Sequence, residues 1–81
     1  MGFDDYLPRE AIGKTLRVVL MGRGSVLVER HRGVITYLPD QLKLRLENGY
    51  LEIRGHSLRI REYSAGDAAV EGVIDSLKFM P

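Results

Sequence analysis

Residues 42–61, LKLRLENGYLEIRGHSLRIR, alternate apolar and polar side chains through two tight-turn signals, and no other feature narrows the fold of this chain as far. A period of two puts every second side chain on one face of an extended strand. Asn48-Gly49 has the residue types of a two-residue type I′ loop, because both tolerate positive φ. Such a loop sets Leu46 opposite Leu51 and Leu44 opposite Ile53. On the other face it sets Arg45 against Glu52 and Lys43 against Arg54.

Gly55-His56, with Gly first as a type II′ turn prefers, reads as the next loop. It would place Ile53 against Leu58 and Leu51 against Ile60, and align Arg45, Glu52 and Arg59 as a plus, minus, plus row across three strands. Both hairpins agree on which face is apolar. Upstream, Leu38-Pro39-Asp40-Gln41 reads as a four-residue loop, since Pro presets φ and Asp bonds its own backbone, so that Tyr37 meets Leu42 and Ile35 meets Leu44.

Ser25 to Glu29 and Gly33 to Tyr37 read as two more strands, joined around His31-Arg32 in one of two registers: a plain loop, or a turn with Gly33 as a bulge. Leu16 to Met21 reads as a first strand closed by Gly22-Arg23-Gly24. At the far end Ala69 to Phe79 is a long strand whose apolar parity switches between Ile74 and Leu77, which predicts a bulge or bend near Asp75-Ser76. Pro8 followed by Arg9 to Ile12 and stopped by Gly13 predicts a short N-terminal helical turn.

The expected fold is therefore all-β: an antiparallel meander of six to seven short strands closed into a small barrel or sandwich. Residues 1–81 form one domain, with 1–14 an extension carrying the helical turn and 15–80 the meander. A domain of 81 residues buries a thin core. A sheet with one apolar face must cover it, by curling or by packing on another copy. Oligomerisation through edge strands is expected, with Leu16 to Met21 and Val70 to Phe79 as the candidate edges.

Chemistry is sparse. The chain has no cysteine, and its two histidines, His31 and His56, sit in predicted turns without the third or fourth ligand of a metal site. Asp4, Asp5 and Asp67 lack a partner base, and Ser57 and Ser64 lack an activating histidine. No catalytic, cofactor-binding or metal-binding residue is assigned, and no cofactor is expected. Nor does any stretch approach the roughly twenty apolar residues of a membrane span. The acidic start, Met1 to Tyr6, does not resemble a signal peptide, so a cytoplasmic setting is expected.

Net charge is only +1. Even so, Lys43, Arg45, Arg54, Arg59 and Arg61 project from the outer face, with Arg30 and Arg32 nearby, and the alternative function is a small β-barrel that binds nucleic acid. Against it, Tyr50 is the single aromatic clearly on that face, and Glu47 and Glu52 dilute the charge. Nucleic acid is accordingly the weaker expectation.

Three segments, in this order, carry a family resemblance: His31-Arg32-Gly33, then Ile53-Arg54-Gly55-His56-Ser57-Leu58-Arg59-Ile60, then Glu71-Gly72-Val73-Ile74-Asp75-Ser76-Leu77-Lys78-Phe79. The chain resembles the YabP/YqfC family of endospore-former proteins, whose members show a His-Arg-Gly element, an I-x-G-x-x-L-x-I step and a final E-G-x-I-x-x-L/I-x-F strand. Leu7-Pro8 and the strand from Leu16 to Gly22 are similar to the YqfC-like branch. Val73 departs from the polar residue usual there and suggests an extra apolar contact on the outer face. The resemblance implies a protein of sporulation, made in the mother cell, that serves spore-envelope (cortex or coat) morphogenesis. It also implies a membrane-anchored partner of the YqfD kind, and brings no catalytic residue with it.

The face assignment is testable. Leu44→Ala or Ile53→Ala should lower unfolding free energy by about 2 to 4 kcal/mol, and Arg45→Ala by well under about 1 kcal/mol. Equal losses in chemical denaturation would mean that the sheet faces the other way.

Overall fold

The computed structural model describes residues 16–81. Six strands follow one another: β1 (Arg17–Met21), β2 (Ser25–Glu29), β3 (Val34–Leu38), β4 (Gln41–Leu46), β5 (Gly49–Tyr63) and β6 (Asp67–Met80). No helix occurs among the described residues, and the predicted helical turn at Pro8 lies outside them. All neighbouring strands are antiparallel, in one open sheet of order β1-β2-β6-β5-β4-β3. The all-β reading holds; the closed barrel and the simple meander do not.

The meander fails because Gly55-His56 is not a turn. β5 runs through it for 15 residues and pairs along its length with the 14 residues of β6. The expected pairs Ile53 with Leu58 and Leu51 with Ile60, and the row Arg45-Glu52-Arg59, therefore do not form. Ile53 faces Leu77 and Leu51 faces Phe79 instead. β2 likewise pairs with β1 and β6 rather than β3, so neither proposed β2–β3 register exists.

The long hairpin is bent. Its register shifts between Arg54 and Gly55, leaving Asp75 as the extra residue on β6, where the parity switch predicted a bulge. It shifts again between His56 and Arg59, where Ser57 takes φ 55° and Gly72 φ 138°. Bulges bend and twist a strand. The result is two half-sheets that share β5 and β6: β3, β4 and the starts and ends of β5 and β6 on one side of the bend, β1, β2 and the remainder on the other.

Each half presents its apolar face to the other. Leu42, Leu44, Leu51 and Ile53 from the first half, and Val26, Val28, Ala68 and Val70 from the second, are fully buried in a single cluster with Leu58 and Ile74. Burying side chains of this size stabilises by roughly 1.5 to 3 kcal/mol each, which a flat sheet of this length could not obtain on its own.

Bulges free backbone groups, and the two short turns take them up. From the β3–β4 turn, Pro39 accepts from Leu58 N–H at 2.7 Å and Asp40 from Gly55 N–H at 3.2 Å. From the β1–β2 turn, Gly24 accepts from Gly72 N–H at 3.1 Å and Arg23 from Ile74 N–H at 2.9 Å. The bend is thus clasped from both sides.

Local registers correct the sequence reading at three points. The β4–β5 turn is centred on Glu47-Asn48, not Asn48-Gly49, so Leu46 faces Gly49, Leu44 faces Leu51 and Leu42 faces Ile53. A side chain at Gly49 would run into the Met80 carbonyl, so the place it takes against the end of β6 requires glycine. Pro39-Asp40 forms a two-residue turn with Leu38 opposite Gln41; Tyr37 meets Leu42 as expected, while a bulge at Ile35 gives Leu44 to Val34.

The bend makes a specific demand on Gly72. A Cβ there would lie 2.6 Å from the Ser57 carbonyl oxygen, at a φ that L-residues rarely adopt. Gly72→Ala should destabilise by at least about 1 to 3 kcal/mol, whereas Gly66→Ala, with open space around it, should change the thermal midpoint little. Similar midpoints for the two variants would show that the corner relaxes freely.

Candidate interaction surfaces

The sheet leaves backbone edges open. Among the described residues β1 and β3 are its outer strands, each bonded on one side. β6 is interior over Asp67–Glu71, where β2 and β5 flank it, but from Ser76 to Met80 only β5 pairs with it among the described residues. Of the two expected edges, β1 is one along its whole length, and Val70 to Phe79 is one only beyond the bend.

Natural edges are guarded by charge, proline or bulges. β3 has its bulge at Ile35 and Pro39 just after it, and β6 has Lys78. β1 carries none in Val18-Val19-Leu20-Met21, and Leu20 and Met21 are about half exposed. β3 nonetheless exposes Val34, Ile35, Tyr37 and Leu38. The Tyr37 hydroxyl crosses to accept from Ile60 N–H at 2.9 Å, holding this edge against the second half-sheet.

The two outer faces differ in charge. Opposed residues of neighbouring antiparallel strands share a face. Lys43, Glu52 and Lys78 therefore form one row on the first half, and Arg45, Tyr50 and Met80 the next. A plus, minus, plus row does exist, with different members from those the sequence suggested. Glu52 is 8 % exposed and accepts at 2.8 Å from both Gln41 Nε2 and Arg54 Nε. Lys43, Arg45 and Lys78 have no carboxylate partner among the described residues.

The second half is neutralised. Arg17 pairs with Glu29 at 3.0 Å, Arg59 with Glu71, and Arg61 lies 3.9 Å from Glu71 and 4.0 Å from Glu62. The four arginines assigned together from sequence are thus divided by the bend: Arg45 and Arg54 on one face, Arg59 and Arg61 on the other side of it.

His31 is a packing residue. It lies in the β2–β3 crossover, 3 % exposed, with its ring 5.1 Å from that of Tyr63 and its Nδ1 accepting from Gly33 N–H at 2.9 Å. The crossover runs from the β5–β6 loop, where Gly66 accepts from Arg30 and His31 N–H, to β4, where Arg32 and Gly33 bond Arg45. Gly33, at φ 124°, makes that path passable. His56 lies at the bend, exposed, with Nδ1 3.5 Å from Asp75. Sequence reasoning missed the buried role of His31, because only the crossover supplies its neighbours.

A shallow depression beside the β4–β5 turn is lined by Arg32, Arg45, Leu46, Glu47, Tyr50 and Pro81 among others. The described residues contain no group of three or more His, Asp or Glu placed to hold a metal ion. Among the described residues no helix is long and apolar enough to cross a membrane. Val73 is half exposed on the bend, opposite His56.

Residues 13–81 match the YabP family. The chain is also similar to the uncharacterised protein YqfC of Bacillus subtilis (strain 168), at 24 % identity over 74 residues, which span 91 % of this chain and 80 % of that protein. The resembling segments fall on backbone joints: His31-Arg32-Gly33 on the crossover, Ile53 to Ile60 across the bend of β5, and Glu71 to Phe79 across the bend of β6. They are placed to shape the chain.

The hydrogen bond from Gln41, joined by the bond and charge of Arg54 and the charge of Lys43, outweighs desolvation and holds the Glu52 carboxyl below its ordinary value of 4.5. A carboxyl depressed in the folded state contributes stability above its unfolded value, and that contribution disappears as pH falls through the folded value. Glu52→Gln should therefore be less stable than the parent at neutral pH, with the difference shrinking below pH 4.5. Urea melts at a series of pH values check this; a difference that persists unchanged in acid would assign the effect to packing.

Proposed function

The chain belongs to the YabP family, and from that premise we propose that it is a non-enzymatic assembly module of sporulation, acting in spore-envelope morphogenesis. The family resemblance supplies the setting, the mother cell of an endospore former. The observation that carries the mechanism is the open sheet, whose outer strands β1 and β3 have backbone edges with no partner among the described residues, flanked by exposed Leu20, Met21, Ile35 and Leu38.

An edge of this kind adds strands from another chain through main-chain hydrogen bonds, with side chains deciding the fit. β1 is the first candidate because its apolar run has no charge or proline to repel a partner strand. Pairing of β1 with itself would close a dimer, whereas pairing of β1 with β3 would leave free edges and extend into a filament. Either product is a scaffold on which a membrane-anchored sporulation partner could dock.

Sedimentation velocity or light scattering over a concentration series tests the reading. Mass should rise with concentration, and Met21→Lys, which places a charge on the outer face of β1, should return the protein to monomer without loss of fold. A parent chain that stays monomeric at the highest soluble concentration would remove edge assembly as the mechanism.

A further inference from the structure

The modest net charge of the chain conceals a polarised one. The outer face of the first half-sheet carries Lys43, Arg45, Arg54 and Lys78 against Glu52, which is itself occupied by Gln41 and Arg54, and Glu47 in the adjoining turn, which lies 3.8 Å from Arg32. On the far side of the core every arginine of β1 and β5 has a carboxylate close by. From this asymmetry we infer that the first face docks the protein flat on an anionic lipid bilayer.

Two observations favour a bilayer over a nucleic acid. The cations without a carboxylate partner among the described residues lie on β4 and β6, either side of β5 on one pleated surface: Lys43 and Lys78 are two strands apart, on the order of 10 Å, with Arg45 two residues along from Lys43. Spread over a face, they match a plane of charge better than a single backbone track. Next, Tyr50, the aromatic in this face, is covered by the Lys43 ammonium, 5.2 Å from its ring centroid, so its ring is not free to stack a base.

A cation close to an anionic leaflet strengthens binding by about fivefold. Lys43, Arg45 and Lys78 together supply about a hundredfold, which makes a single copy a weak, reversible binder. Copies joined at their edges would multiply this through effective concentration. The docking face is nevertheless distinct from the edges, and the two can fail separately.

The test is co-sedimentation of the full chain with vesicles of phosphatidylcholine alone or mixed with phosphatidylglycerol. Partition should require phosphatidylglycerol and fall as salt rises. The triple variant Lys43→Gln, Arg45→Gln, Lys78→Gln should reduce it about a hundredfold, and Arg59→Gln with Arg61→Gln should leave it within about twofold. Circular dichroism reports whether each variant folds, and sedimentation without vesicles reports assembly, so loss of edge pairing is distinguishable from loss of docking. No partition at low salt, equal losses in the two variants, or tighter binding of a single-stranded oligonucleotide through the same three residues would overturn the proposal.

Discussion

A single sheet with one apolar face has to cover that face, and in this protein it does so by bending over itself at one place. The bend between Gly55 and Leu58 on β5, and between Gly72 and Asp75 on β6, brings Leu44 and Ile53 onto the same core as Val26 and Val70. Everything else follows from that corner. The residues that permit it, Gly55 against the Val73 carbonyl and Gly72 against Ser57, are those where a side chain has no room. The turns at Arg23-Gly24 and Pro39-Asp40 supply acceptors for the amides that the bulges release.

The same bend accounts for the outer surface. Because it divides β5, the arginines before and after it belong to different faces: Arg59 and Arg61 lie close to Glu71, while Lys43, Arg45 and Lys78 on the first face have no carboxylate partner among the described residues. A chain with nearly balanced charge thus acquires a basic side and a neutralised one. Because the sheet bends without closing, it also keeps its edges, which is where a small β domain is able to recruit another strand. The proposed assembly and the proposed docking both draw on that one incomplete closure.

Much of the local design was legible in the alternation of residues 42–61. Leu42, Leu44, Leu51 and Ile53 are fully buried, as the alternation requires, although the turn sits one residue earlier than the Asn48-Gly49 signal suggests. Moving a two-residue loop by one position displaces the register by two, and a displacement of two leaves every side chain on its original face. The predicted face therefore survived while the predicted pairs did not. The bulge at Asp75 was legible for a similar reason: a change of parity along a strand has to be absorbed where it occurs. Gly55-His56 misled because glycine serves both a turn and a tight bend, and only the strand facing it tells the two apart. His31 was read as an ordinary turn residue, since nothing near it in sequence reveals that Tyr63 and Gly66 close over it.

By itself, then, the sequence determined the class of structure and the inner and outer faces of its strands, because side-chain alternation is a local property with a period of two. It also carried the family resemblance, in segments whose order and spacing survive in one dimension. Tertiary structure alone decided that β6 inserts between β2 and β5, that the sheet stays open, that His31 is buried and that Lys43, Arg45 and Lys78 share one face with no ion-pair partner among the described residues. Those outcomes depend on contacts between residues far apart in the chain, where one bend of a long hairpin selects which strands become neighbours.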